Sequence, residues 1–95
     1  MTCRLGLLQM DLSLPGVRSL KEKRRILLSL KDRIRDKFNA SVSEVGMNDQ
    51  HQRAVLAVVS VANDSAYLNG LLDKVLALVR SEHRASLVHH TIDIF

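Results

Sequence analysis

The sequence predicts an α+β fold in which a four-stranded antiparallel sheet carries two helices on one face. Three observations predict it. Apolar residues alternate with period two in four separate stretches, and recur at helical spacing in two others. The order of these stretches is β-α-β-β-α-β. The stretch from His51 to Ala62 is rich in β-branched residues and apolar on both of its faces, which indicates a central strand.

The elements follow in order. Cys3 to Leu14 reads as a strand, with Leu8, Met10, Leu12 and Leu14 on one side and Leu5 and Leu7 on the other. Pro15-Gly16 ends it, because proline has no N–H for the ladder. Ser19-x-x-Glu22 is a capping box: the serine oxygen accepts from the Glu22 amide, and the carboxylate reaches back to the Ser19 amide. The helix that follows runs to about Lys37. Its apolar stripe is Leu20, Leu27, Leu30, Ile34 and Phe38, with Ile26 at the edge. Lys23 and Arg24 flank this stripe, placed to snorkel past the core. Asn39 suits a helix end. Ala40 to Val45 is a short polar strand, and Gly46 to Gln50 a turn.

In the strand from His51 to Ala62, Arg53, Val55, Ala57, Val59 and Val61 share one face, and Ala54, Leu56, Val58 and Ser60 the other. Asn63-Asp64-Ser65 starts the second helix. Tyr67, Leu68, Leu71, Leu72, Val75, Leu78 and Val79 form its stripe to about Glu82, and Gly70 weakens it. Ala85 to Ile94 closes the chain as a strand, with Val88, Ile92 and Ile94 in phase. With right-handed crossovers this order gives a ferredoxin-like plait, residues 1–95 forming one domain with the first and third strands central. The sheet face away from the helices then keeps Leu5 and Leu7, or their opposite-phase neighbours, uncovered. That predicts a partner, most simply a second copy of the chain.

Composition narrows the class. The chain has 95 residues, 46% of them apolar and 25% charged, as in ordinary globular domains. No apolar run is long enough to span a bilayer. The first residues offer no signal-peptide pattern, so a cytoplasmic protein without a membrane partner is expected. A single cysteine, Cys3, permits neither an internal disulfide nor a cysteine zinc site. Charge is concentrated: Arg18 to Lys37 holds nine basic and three acidic residues, and the rest of the chain five and seven. The whole basic excess therefore sits on the first helix and the loop before it, where it is a binding hypothesis rather than a general aid to solubility.

Several motifs together resemble the YlxP-like family of small bacterial proteins of unknown function. They are Pro15-Gly16-x-x-Ser19-Leu20-Lys21-Glu22-Lys23-Arg24, Phe38-Asn39-x-Ser41-Val42-x-Glu44-Val45, Gln52-Arg53-Ala54 and Asn63-Asp64. The resemblance implies a ferredoxin-like plait in a bacterial cytoplasmic protein, often encoded beside translation and ribosome-maturation factors. It supplies no catalytic or binding residues.

The candidate site is anionic-ligand binding by Arg18, Lys21, Lys23, Arg24, Arg25, Lys31 and Arg35, with Arg33 beside them. Such a row follows a phosphate backbone, so RNA or a ribosomal component is the expected partner; the bland alternative is a solvated charged face. Base stacking on the sheet is disfavoured, since the aromatics Phe38, Tyr67 and Phe95 lie outside the central strands. A homodimer or other protein contact through the open sheet is the alternative function. A distant third is phosphate handling of the acylphosphatase kind, for which only Gly16 and Arg18 stand in. No catalytic set, metal site or cofactor is expected. His89 and His90 are adjacent in a strand and face opposite ways, and nothing marks Glu44 and Asp11 as a pair.

Overall fold

A computed structural model describes residues 2–95. The elements are β1 (Arg4–Ser13), α1 (Leu20–Lys37), β2 (Ser41–Gly46), β3 (Arg53–Ala62), α2 (Ser65–Arg80) and β4 (Ser86–Ile94). The sheet order is β2-β3-β1-β4, all neighbours antiparallel, with β1 and β3 in the middle. This is the ferredoxin-like plait that the element order predicts. The central pair is in register from Arg4 opposite Ala62 to Ser13 opposite Arg53.

One core fills the space between sheet and helices. Leu8, Met10, Leu12 and Leu14 point into it from β1 and the loop after it, and Ala54, Leu56 and Val58 from β3. They meet Ile26, Leu27, Leu30 and Ile34 of α1 and Leu68, Leu72, Val75 and Val79 of α2, all buried. Burial of this apolar surface is the main force holding the layers together. Gly6 lets α2 come close to β1, since a Cβ there would lie 3.1 Å from a Leu72 methyl.

The structure corrects four details. Glu22 reaches one residue beyond the expected capping box: Ser19 Oγ accepts from Glu22 N at 3.1 Å, but the carboxylate accepts from Arg18 N, not from the Ser19 amide. Val88 leaves the phase of Ile92 and Ile94, because the β1–β4 register shifts between Asp11 and Leu12. A bulge of this kind moves the residue off the inner face, and Leu87 packs against the core instead. Tyr67 is exposed, not part of the buried stripe, and Leu76 is buried in its place among the α2 residues. The fourth correction is Lys23, which neither flanks the stripe nor snorkels.

Lys23 is fully buried. In helical phase it lies on the same line as Leu27, Leu30 and Ile34, so its stem runs into the core. Its ammonium ends under the β2–β3 hairpin. Nζ donates to Glu44 Oε2 at 2.8 Å, Met47 O at 3.0 Å, Arg53 O at 3.2 Å and Asn48 O at 3.3 Å. Glu44 faces inward because it pairs with Leu56 across β2 and β3. Met47, with φ of 58°, turns the hairpin through the left-handed region. Gln52 completes the stitch: its backbone carbonyl accepts from Leu14 N at 2.9 Å, and its side-chain amide donates to Pro15 O and Val17 O. The loop before α1 and the hairpin are thus one hydrogen-bonded unit.

Removing one partner of a buried ion pair leaves the other desolvated and unpaired. Lys23→Met is expected to lower unfolding stability by about 3–5 kcal/mol, measured by urea denaturation.

Candidate anion-binding face

The outer face of α1 is set by what its inner face buries. Because Lys23, Ile26, Leu27, Leu30 and Ile34 point inward, Lys21, Arg24, Arg25, Asp32 and Arg35 are exposed on the opposite side and Lys31 is half-buried at its margin. Arg18, in the preceding loop, is exposed as well. Leu28, 53% exposed, stands between them. Lys21 and Arg25 are one turn apart, as are Arg24 and Leu28, so the cations form a patch around one apolar side chain.

The basic residues of α1 divide by whether the fold already uses them. Among the described residues, no carboxylate lies within ion-pairing distance of Arg18, Lys21, Arg24, Arg25 or Lys31. Arg35 is partly engaged: Nη2 donates to Val42 O at 3.0 Å, and Nη1 is 3.8 Å from Asp32 Oδ1. Lys23 is withdrawn from the expected site altogether by its burial. Arg33 is withdrawn by Glu82, whose Oε1 lies 2.6 Å from Nη2. Five free cations remain of the seven expected site residues.

Glu82 explains a second cluster that the sequence reading missed. It follows the C-terminus of α2, where the helix dipole disfavours a negative charge, yet its side chain is buried. Arg84 offsets this with Nε at 2.7 Å, Nη2 at 2.9 Å and its backbone N–H at 2.9 Å. These bonds from Arg84, together with that from Arg33, hold the Glu82 carboxyl well below the usual carboxylate range against the opposing effect of its burial. The spacing Glu82-x-Arg84 was the available signal, since a carboxylate two residues before an arginine in a tight turn can be gripped by both side chain and backbone.

The open sheet face carries Leu5, Leu7, Val55, Ala57, Val59 and Val61 along β1 and β3. Leu5 and Val61 are opposite each other and are 38% and 53% exposed. Asp11 and His89 share a register position at the other end. Arg53 lies on this face too, and its Nε is buried without a hydrogen-bond partner. His90, opposite Met10, points to the other side of the sheet from His89. Among the described residues no group of three or more histidine, cysteine or acidic residues is placed to hold a metal ion. Among them, too, no helix is long and apolar enough to cross a membrane.

Fold and site together define a small α+β plait with a cationic outer helix. The chain belongs to the family described as a protein of unknown function, DUF503, whose model matches residues 5–92. It is 38% identical over 63 residues to the uncharacterized protein YlxP of Bacillus subtilis strain 168, covering 66% of this chain and 68% of that protein. The motif resemblance therefore holds. Among solved structures the chain is similar to the structural-genomics protein YJCS, with a TM-score of 0.55 at 6% identity over 94% of this chain and 96% of that one. It is equally similar to a de novo designed protein, Foldit4, with a TM-score of 0.55 at 8% identity over 97% and 96% of the two chains. SnoaB, a cofactor-independent oxygenase from Streptomyces nogalater, matches as its N63A mutant at a TM-score of 0.53 and 10% identity over 97% and 90%. Likeness at such identities is likeness of fold alone. That a designed protein scores as well as natural ones makes the same point.

The depressed Glu82 carboxyl links stability to pH. A carboxyl whose folded pKa lies below its unfolded value of 4.5 contributes stability above that pH and loses it as pH falls towards the folded value. Wild-type stability is therefore expected to decline below about pH 4.5. Glu82→Gln is expected to be less stable at pH 7 and to show a shallower decline. Thermal melts from pH 7 to pH 3 measure both.

Proposed function

We propose that the protein binds RNA, or a ribonucleoprotein surface, through the outer face of α1, without catalysing a reaction. The observation that carries this reading is the set of five cations, Arg18, Lys21, Arg24, Arg25 and Lys31, left without a carboxylate partner among the described residues, while Lys23, Arg33 and Arg35 are engaged. Charge kept unpaired on one face raises the local potential and attracts a polyanion. The contacts are to phosphates, so the affinity is salt-sensitive and little dependent on base sequence. The N-terminal end of α1 is poorly suited to an anion, because the Glu22 carboxylate occupies the Arg18 amide. This also weighs against phosphate handling by Gly16 and Arg18. The ligand then lies along the helix flank, from Arg18 to Lys31.

A second reading, homodimerisation through the open sheet, is favoured by a specific observation. The apolar strip from Leu5 and Val61 to Val55 ends beside Arg53, whose buried Nε lacks an acceptor. The face carries both signs of charge, Arg53 against Asp11 and Asp93, so two copies meet without strong like-charge repulsion.

Binding of a nuclease-treated preparation to a single-stranded RNA 20-mer, followed by anisotropy across salt, tests the first reading. With five phosphate contacts the slope of log affinity against log salt is expected to be about −3.5. Arg24→Glu with Arg25→Glu should abolish binding while leaving stability within about 0.5 kcal/mol of wild type. Absence of binding at low salt defeats the proposal. For the second reading, light scattering at high concentration should give twice the chain mass, and Val61→Lys a monomer; a wild-type monomer defeats it.

A further inference from the structure

The helix layer has another surface, which the cationic flank of α1 does not include. A groove of about 750 Å³ lies between the C-terminal half of α1 and α2, with Phe38, Ala77 and Leu78 among its lining residues and Arg33, Lys37 and Lys74 around it. A neighbouring depression shares Lys37, Phe38 and Lys74 and extends to Tyr67, Gly70 and Leu71. Along α2 the two together reach from Ala66 to Ser81, about 22 Å at the rise of a helix. That is the length of four helical turns.

Three features of this trough point to an occupant. Its floor is apolar, and Tyr67, at one end, is 58% exposed; an exposed aromatic beside an apolar floor is characteristic of a protein contact. Its rim is cationic: among the described residues Lys37 and Lys74 have no carboxylate within ion-pairing distance, and Asp36 is the one acid that lines it. The third feature is Gly70. It sits inside α2, where glycine is a poor helix former, its φ is not positive, and a Cβ there would meet nothing within 4 Å. Neither backbone geometry nor packing in the folded chain calls for glycine. Its consequence is an open stretch of helix surface in the trough, over which another backbone can pass closely.

We propose that this trough receives an acidic amphipathic helix of another protein. Apolar residues at i, i+3 or i+4, and i+7 enter the floor, and flanking glutamates or aspartates face Lys37 and Lys74. This is the helix-in-groove mode of recognition. The trough's length fits a helix of about 15 residues, and the rim charge selects an acidic one. A second copy does not offer such an element: the outer face of α1 is cationic, and α2 exposes Lys74 and Arg80 against Asp73. The proposal does not depend on RNA binding by α1.

The test uses the full chain, isotopically labelled for NMR, and a synthetic 16-residue helical peptide with leucines at i, i+3 and i+7 and glutamates on both flanks. Saturable binding is expected, with amide shifts at Phe38, Gly70, Lys74 and Leu78. Gly70→Met should weaken it at least tenfold while melting no lower than wild type, because the new side chain enters open space. Lys37→Glu with Lys74→Glu should weaken it as much, which keeps the test valid if the Gly70 variant misfolds. A peptide with lysines in place of glutamates should not bind. The proposal is overturned by absence of saturable binding, by shifts confined to Lys21–Lys31, or by full affinity in a folded Gly70→Met variant. It is equally overturned if the RNA 20-mer shifts the Gly70 and Lys74 amides, since the trough would then belong to a nucleic-acid site.

Discussion

One buried ammonium joins α1 to the β2–β3 hairpin. Lys23 has three N–H donors and meets four acceptors, one carboxylate and three backbone carbonyls. A charge in the interior tolerates little displacement, because any lost contact leaves it desolvated. The β2–β3 hairpin must therefore stay folded over the first turns of α1, with Glu44 turned inward and the carbonyls of Met47, Asn48 and Arg53 aimed at one point. Gln52 ties the loop before α1 to the same hairpin. The orientation of α1 about its own axis follows: with Lys23 drawn in, Lys21, Arg24 and Arg25 are turned out.

The same sorting gives meaning to the residues that carry the family resemblance. Ser19 and Asp64 cap helices, each accepting from the backbone three residues on. Glu22 satisfies the Arg18 amide, Asn39 offers its carbonyl to the buried Ser60 hydroxyl at 2.7 Å, and Glu44 and Gln52 hold the hairpin. These motifs are largely architectural. Lys21 and Arg24 are the charged side chains of the first motif that make no ion pair or hydrogen bond among the described residues. Under the function proposed above, these two side chains contact the polyanion.

The sheet was legible because its signal is periodic. Alternation in β1 and two-sided apolarity in β3 fixed both central strands and their inner faces, and the cap at Ser19 fixed the start of α1. What was not legible depends on pairing across the fold. Val88 follows the alternation of β4 in sequence but not in space, because a bulge inserts one residue. Tyr67 falls outside the α2 stripe, whose buried residues centre on Leu68, Leu72, Val75 and Val79. Lys23 was misplaced for a different reason: its helical phase did put it on the buried stripe, but its charge argued against burial. Only Glu44, brought to it by the β2–β3 pairing, removes that objection. A local pattern cannot announce a partner 21 residues away.

On the function proposed above, α1 carries two kinds of lysine, one built into the hairpin and others free for a polyanion. NMR of the lysine side-chain ammonium groups, with and without the RNA 20-mer, tests it most directly. A slowly exchanging Lys23 signal that RNA leaves unmoved is expected, with fast-exchanging Lys21 and Lys31 groups whose side-chain carbons shift on addition of RNA. A Lys23 ammonium that exchanges as fast as Lys21, or RNA that moves neither Lys21 nor Lys31, would contradict it.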